Sequence, residues 1–358
     1  RSKSWPHTLI ATSTHDSKRS EDVRARINVL SEIPDEWRER LTRWRRLNKK
    51  NVVVVEGQTV PDPNEEYLFY QTLIGAWPIE PIIVPEYEML KKRIKDYMVK
   101  ALREAKVNTS WINPNTNYEN ILMSFIEATL NNTRRNKFLK DFQAFQKKIS
   151  HYGIYNSLSQ TLLKITSPGI PDFYQGTEFW DFSLVDPDNR RPVDYNIRIK
   201  MLEELKRNDE EMPLSEFAKE LTINKDNGKI KLYLMYKTLN YRKANREIFE
   251  RGEYSPLEAM GEKATNVCSF VRKFGNSTVL VVAPRFITRL IQQPENLPFG
   301  KEVWKDSVII VPHEETEKKY RNIFTGEVVT TIPHKEATIL YLSEIFTHFP
   351  VALMEKII

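Results

Sequence analysis

The chain has 358 residues, 40% hydrophobic and 28% charged, a composition that reads as an ordinary globular protein long enough for two or three domains. Its 54 basic and 48 acidic residues are interleaved and leave a net charge of only +6. The densest basic run, Arg43 to Lys50, therefore reads as a solvated helix face, which argues against nucleic acid as a partner. No run of about 18 apolar residues is present, so no membrane span is expected.

One cysteine, Cys268, excludes an internal disulfide framework and points to a reducing cytoplasm. The first residues, Arg1 to His7, contain no apolar stretch, so no secretory leader is expected there. The six histidines have no metal-ligand spacing, and no metal or organic cofactor is expected.

In chain order, Leu9 to Thr14 reads as a buried strand that delivers His15-Asp16-Ser17-Lys18-Arg19 at its end. A helix is expected from Ser20, a good N-cap, with Glu21 and Asp22 in its first turn and Val23, Ile27 and Leu30 on one face. Pro34 ends it, and an Arg- and Trp-rich helix runs on to about Asn48. Residues 51–63, with Gly57, Pro61 and Pro63, read as a loop.

From Asn64 to about Thr166 the pattern is helical almost throughout, with Tyr87, Leu90, Ile94, Met98 and Ala101 at helical spacing. Gly169 to Gly176 is a short strand-like segment between breakers, and Asp186 to Pro192 a polar loop. Helices return to about Phe249. After Gly252 the runs Val267–Phe274, Thr278–Ala283, Ser307–Val311 and Ala337–Leu342 predict a terminal β domain.

Three polar segments stand out. His15-Asp16 with Lys18 and Arg19 suits a sugar or phosphate site, although a strand-end Asp equally well caps a neighbouring helix. Tyr174 and Gln175 offer a stacking face and hydrogen bonds to a sugar, or else belong to a buried strand between two turns. Asp186-Pro187-Asp188-Asn189-Arg190-Arg191-Pro192 offers carboxylates and guanidinium groups that could bracket a polyhydroxyl ligand, or equally tie down their own loop by internal ion pairs. All three lie where a strand gives way to polar chain, the position that active sites take on α/β barrels.

The string Ala11-Thr12-Ser13-Thr14-His15-Asp16-Ser17-Lys18-Arg19-Ser20-Glu21-Asp22-Val23-Arg24-Ala25-Arg26 resembles the segment after barrel strand seven of maltooligosyltrehalose synthases, members of the α-amylase superfamily. Gly169-Ile170-Pro171-Asp172-Phe173-Tyr174-Gln175-Gly176-Thr177-Glu178 is similar to the superfamily's strand-eight pattern, Gly-x-Pro-x-x-Tyr-x-Gly-x-Glu. Asp186-Pro187-Asp188-Asn189-Arg190-Arg191-Pro192 and Leu73-Ile74-Gly75-Ala76-Trp77-Pro78 extend the likeness over essentially the whole chain. Ser17 stands where Thr is usual.

The resemblance implies α/β plus β architecture: the last two strands of a (β/α)8 TIM-type barrel, a large α-helical insertion, and a C-terminal all-β, sandwich-like domain. The boundaries expected are 1–19 for strand seven and its loop, 20–166 for the insertion and barrel helix, 167–250 for strand eight, its loop and the closing helices, and 251–358 for the β domain.

It further implies conversion of the reducing-end α-1,4 bond of a maltooligosaccharide into an α,α-1,1 bond. Asp16 would be the transition-state-stabilising carboxylate and His15 a donor to a sugar hydroxyl. Lys18 and Arg19 would hold the released glucose. No motif for the nucleophilic Asp or the general-acid Glu is found. The resemblance therefore implies a C-terminal portion, inactive alone, whose partner is an N-terminal barrel half in the same or a separate chain. The alternatives are another α-amylase-type hydrolase or glucanotransferase, and a non-catalytic glucan-binding half of a split enzyme.

Overall fold

The structure, a computed structural model, describes residues 4–357 except 82 and 336. Arg1, Ser2 and Lys3, part of the segment in which no leader is expected, lie outside the described residues. The chain forms two compact units. One holds residues up to Thr14, Ile154–Asp181 and Pro192 onward; the other holds His15–Gly153 and Phe182–Arg191.

The first elements are β1 (Leu9–Ala11), α1 (Glu21–Leu30), α2 (Pro34–Asn48), the hairpin β2 (Val53–Val55) and β3 (Gln58–Val60), α3 (Pro63–Ala76), α4 (Val84–Ala105), α5 (Thr116–Thr129) and α6 (Lys137–Thr166). Next come β4 (Ile170–Asp172), α7 (Tyr195–Glu211), α8 (Leu214–Ile223), α9 (Lys229–Ala244) and α10 (Arg246–Glu250). Ten strands, with short helices between some of them, follow among the described residues. They are β5 (Glu253–Pro256), β6 (Ala259–Met260), β7 (Val267–Phe274), β8 (Ser277–Pro284), β9 (Val308–Val311), β10 (Lys319–Asn322), β11 (Val328–Thr330), β12 (Ile332–His334), β13 (Ala337–Tyr341) and β14 (Ala352–Ile357).

The helical unit is organised around rings. Trp37 and Trp44 of α2 meet Phe138, Phe142 and Phe145 of α6, with centroids 5.6–6.1 Å apart, and Tyr70 and Phe69 of α3 extend the cluster to Phe125 of α5. Burial of these large apolar faces is the main force holding the helices together. Local chemistry sets where they start. Asp62 accepts from the backbone N–H groups of Asn64 and Glu65 while Glu65 reaches back to the Asp62 N–H, a complete capping box ahead of α3. Asn115 caps α5 through Tyr118 N–H, and α4 ends where Lys106 turns left-handed at φ 58°.

The other unit carries the parallel pair β1–β4, in register Leu9↔Ile170 and Ala11↔Asp172. Its antiparallel strands form a six-stranded sheet in the order β11-β10-β14-β8-β7-β5 and a four-stranded sheet in the order β12-β13-β9-β6. β8 is buried along nearly its whole length. Tyr233 of α9 packs on Phe217, Phe324 and Phe349 and donates its hydroxyl to Phe324 O.

Two expectations from sequence need correction. β1 stops at Ala11, and it is largely exposed instead of buried, with Leu9 at 64%. The cause is that β4 is its only sheet partner among the described residues. Residues 51–63 are not merely a loop, because Val53 to Val60 pair as a short hairpin. Among the described residues no helix is long and apolar enough to cross a membrane.

Candidate active-site segment

His15 and Asp16 lie in a turn after β1, with His15 Nε2 3.4 Å from Asp16 Oδ1 and 86% of the Asp16 side chain exposed. The backbone just beyond them is anchored. Ser20 N–H donates to Ser183 O at 3.0 Å, and Arg19 forms an antiparallel bridge with Leu184. Asn189, 9% exposed, donates its Nδ2 to the His15 carbonyl at 2.8 Å. The Asp186 loop is therefore a clamp on the backbone that presents His15 and Asp16.

The clamp has its own foundation. Arg93 of α4 makes a forked pair of hydrogen bonds to Asp188, at 2.7 and 2.8 Å, and also donates to Phe182 O. Asp188 accepts a further bond from Leu184 N–H, and Arg191 lies 3.2 Å away. Burial alone would raise the Asp188 pKa, but the two guanidinium groups and the amide donor hold it below the usual carboxylate value. Lys100 donates to Asp186 O, and Arg190 pairs with the Asp186 carboxylate at 2.8 Å.

Lys18 and Arg19 are already engaged. Lys18 Nζ donates to Glu104 Oε2 at 2.7 Å, and Arg19 donates to Gln71 and Thr72. This unit thus brings together His15, Asp16, Lys18, Arg19, Asp186, Asn189 and Arg190. Arg93 and Glu104 were not foreseen as site-forming, whereas Asp188 was foreseen as one of the loop's carboxylates. Sequence carried no signal for the Arg93–Asp188 pair, whose members are 95 positions apart.

Tyr174 and Gln175 belong to the other unit. They sit in a turn after β4, where Tyr174 O accepts from Thr177 and Arg198 grips Gly176 O and Glu178. Gln175 is exposed and Tyr174 half-buried. Gly169, at φ 137°, lets β4 approach β1, since a Cβ there would lie 2.4 Å from Ile10 Cδ1 and 2.8 Å from Thr8 O. Among the described residues no group of His, Cys, Asp and Glu is arranged to hold a metal ion.

These segments have counterparts in known proteins. A protein of Mycobacterium tuberculosis, provisionally named maltooligosyl trehalose synthase, is 30% identical over 359 residues, covering 99% of this chain and 38% of its own length. The solved maltooligosyltrehalose synthase of Arthrobacter ramosus superimposes on the whole chain, and over 39% of its own, with a TM-score of 0.76 at 29% identity. The chain is similar to the C-terminal portion of maltooligosyltrehalose synthases. A further crystal structure of a maltooligosyl trehalose synthase is 34% identical, with a TM-score of 0.71 over 98% of this chain and 40% of that one. The chain thus spans about two-fifths of the length of the synthases it matches. No family model matches it.

Proposed function

We propose that the chain is the C-terminal part of an enzyme that moves the reducing-end α-1,4 bond of a maltooligosaccharide to an α,α-1,1 bond, within trehalose biosynthesis. The observation that carries the reading is the clamp: Asn189, seated on the Arg93–Asp188 pair, holds the His15 carbonyl and leaves the Asp16 carboxylate accessible. In this reading β1 and β4 are the last two strands of a (β/α)8 barrel, the helical unit is an insertion, and the two sheets form a sandwich-like C-terminal domain. The setting proposed is the cytoplasm, in keeping with the one free cysteine, Cys268.

The chemistry is a retaining transglycosylation. A carboxylate outside this sequence attacks C1 of the penultimate glucose as an acid protonates the leaving oxygen. The released glucose turns and attacks C1 of the glycosyl-enzyme through its own anomeric hydroxyl, the carboxylate leaving and the deprotonated acid taking up the hydroxyl proton, which gives the 1,1 bond. Asp16 stabilises the oxocarbenium-like transition state through hydrogen bonds and negative charge, and His15 donates to a neighbouring hydroxyl. Lys18, released from Glu104, and Arg19 hold the glucose as it turns. Asp186 and Arg190 supply further contacts to the glucan. The chain alone is then inactive, because the nucleophile and acid must come from an N-terminal barrel half.

The test is to restore that half and replace Asp16 by Asn. The expected result is a fall in kcat of roughly 100- to 1,000-fold with little change in KM. Near-normal formation of the 1,1 bond would overturn the role given to Asp16.

A further inference from the structure

A cleft of about 320 Å3 opens in the helical unit where three stretches of chain meet: the end of α2 with residues 49–51, the end of α5, and residues 131–138, which lead into α6. Lys50, Arg135 and Lys137 line it, together with the amides of Asn51 and Asn131 and the hydroxyl of Thr133. No Asp or Glu is among its lining residues. None of the three cations forms an ion pair among the described residues. Elsewhere in the same unit the rule is the opposite: Lys91, Arg93, Arg103 and Lys148 each meet a carboxylate at 2.5–2.7 Å.

Lys50 ends the basic run of α2, which by itself is a solvated face. What changes its setting is the loop that brings two more cations to the same opening. That loop is fixed by its own bonds. Asn136 Nδ2 donates to the carbonyls of Thr129 and Asn131, both at 2.9 Å, and Thr133 N–H donates to Asn131 O at 2.9 Å. Asn136 Oδ1 accepts from Leu139 N–H at 3.0 Å, so the positive end of the 30-residue α6 adds to the field of the side chains. A concave surface lined by charge of one sign concentrates counter-ions of the other.

We propose that this cleft binds the phosphate group of a small molecule, at a site that requires neither Asp16 nor a glucan. Three cations around one opening match the double charge and spread oxygens of a phosphate better than the single charge of a carboxylate. The amides and the hydroxyl then serve the remainder of the ligand. The volume, at the lower end of the range for small-ligand sites, admits free phosphate or a phosphorylated monosaccharide. Occupancy would tie the three stretches together and stabilise the helical unit by linkage.

The experiment is calorimetric titration of the folded 358-residue chain with inorganic phosphate and, separately, with glucose 6-phosphate, at an ionic strength fixed by sodium chloride. The variants are Arg135→Ala, Lys137→Ala and Lys50→Gln, with Lys147→Ala as the control, one exposed cation roughly 15 Å further along α6. All four side chains are exposed, and thermal midpoints in chloride check that each variant is folded. The expected result is saturable binding of both probes in competition, weakened about tenfold by Arg135→Ala and by Lys137→Ala and unchanged by Lys147→Ala. Tighter binding of the sugar phosphate assigns the site to phosphate esters, and equal or weaker binding assigns it to free phosphate. No saturable binding of either probe, binding that the three cleft variants leave unchanged, or equal weakening by Lys147→Ala overturns the proposal.

Discussion

At the scale of single residues, Asp188 matters more to the candidate site than its exposed neighbours. It is the buried end of a forked ion pair, and Asn189, next in the chain, holds His15. Replacing Arg93 by Ala leaves that carboxylate buried without its main partner, a change that costs about 3–5 kcal/mol. Urea titration monitored through Trp37 and Trp44 fluorescence would show the midpoint fall. An unchanged midpoint would refute the pairing. The pH dependence has a definite sign. Because the folded pKa of Asp188 is depressed, its contribution is complete above the unfolded value of about 3.9 and is lost as pH falls through the lower folded value. The Asp188→Asn variant should lack that part of the acid sensitivity. His15 and Asp16 stood out as candidates because the two residues adjoin and sit inside a long matching string. Arg93 was not, since nothing in a helical segment announces a partner on a loop 95 positions away.

At the scale of elements, two glycines let helices of the helical unit approach closely. A Cβ on Gly75 of α3 would lie 2.5 Å from Val23 Cγ1 of α1, and one on Gly153 of α6 would lie 2.6 Å from Arg26 Cγ. Between them Arg26 is buried, with its guanidinium donating to the carbonyls of Gly75 and Trp77 and lying 3.5 Å from the Phe182 ring centroid. Gly75→Ala should therefore destabilise the helical unit by about 1–3 kcal/mol through overpacking. Adding Val23→Ala should recover part of that loss, because the two sites couple by contact. Additive losses in urea titrations of the single and double variants would rule the explanation out. The string around Gly75 was visible as a resemblance, but its reason appears only when α1 lies against it. The long helices were readable from periodicity and from their Pro and Asn boundaries. The hairpin β2–β3 was not, because three-residue strands beside Gly57 and two prolines carry too little pattern to outweigh the breakers. β10, Lys-Tyr-Arg-Asn, escaped notice for a related reason: it buries alternate residues but has only one large apolar side chain.

At the scale of the whole molecule, the pair β1–β4 is the feature that most needs something else. Parallel strands occur almost only in sheets covered on both faces, yet these two have no other strand beside them among the described residues. Leu9 is 64% exposed and Ile170 46%, and Trp5, just before β1, is 73% exposed. Open edges of this kind offer unpaired N–H and C=O groups to another strand. The chain matches only about two-fifths of the synthases it resembles, so strands from the remaining portion are the natural partners in the reading proposed here. Hydrogen exchange at residues 9–11, 170 and 172 should then slow markedly when that portion is present, joined or added separately, because the backbone amides enter a continuous ladder. Leu9→Asp should weaken the association of separately made halves, since it places a charge where an apolar side chain would be covered. Exchange that stays fast at both strands in a complete, active enzyme would show that β1 and β4 are not barrel strands, whatever Asp16 contributes to the chemistry.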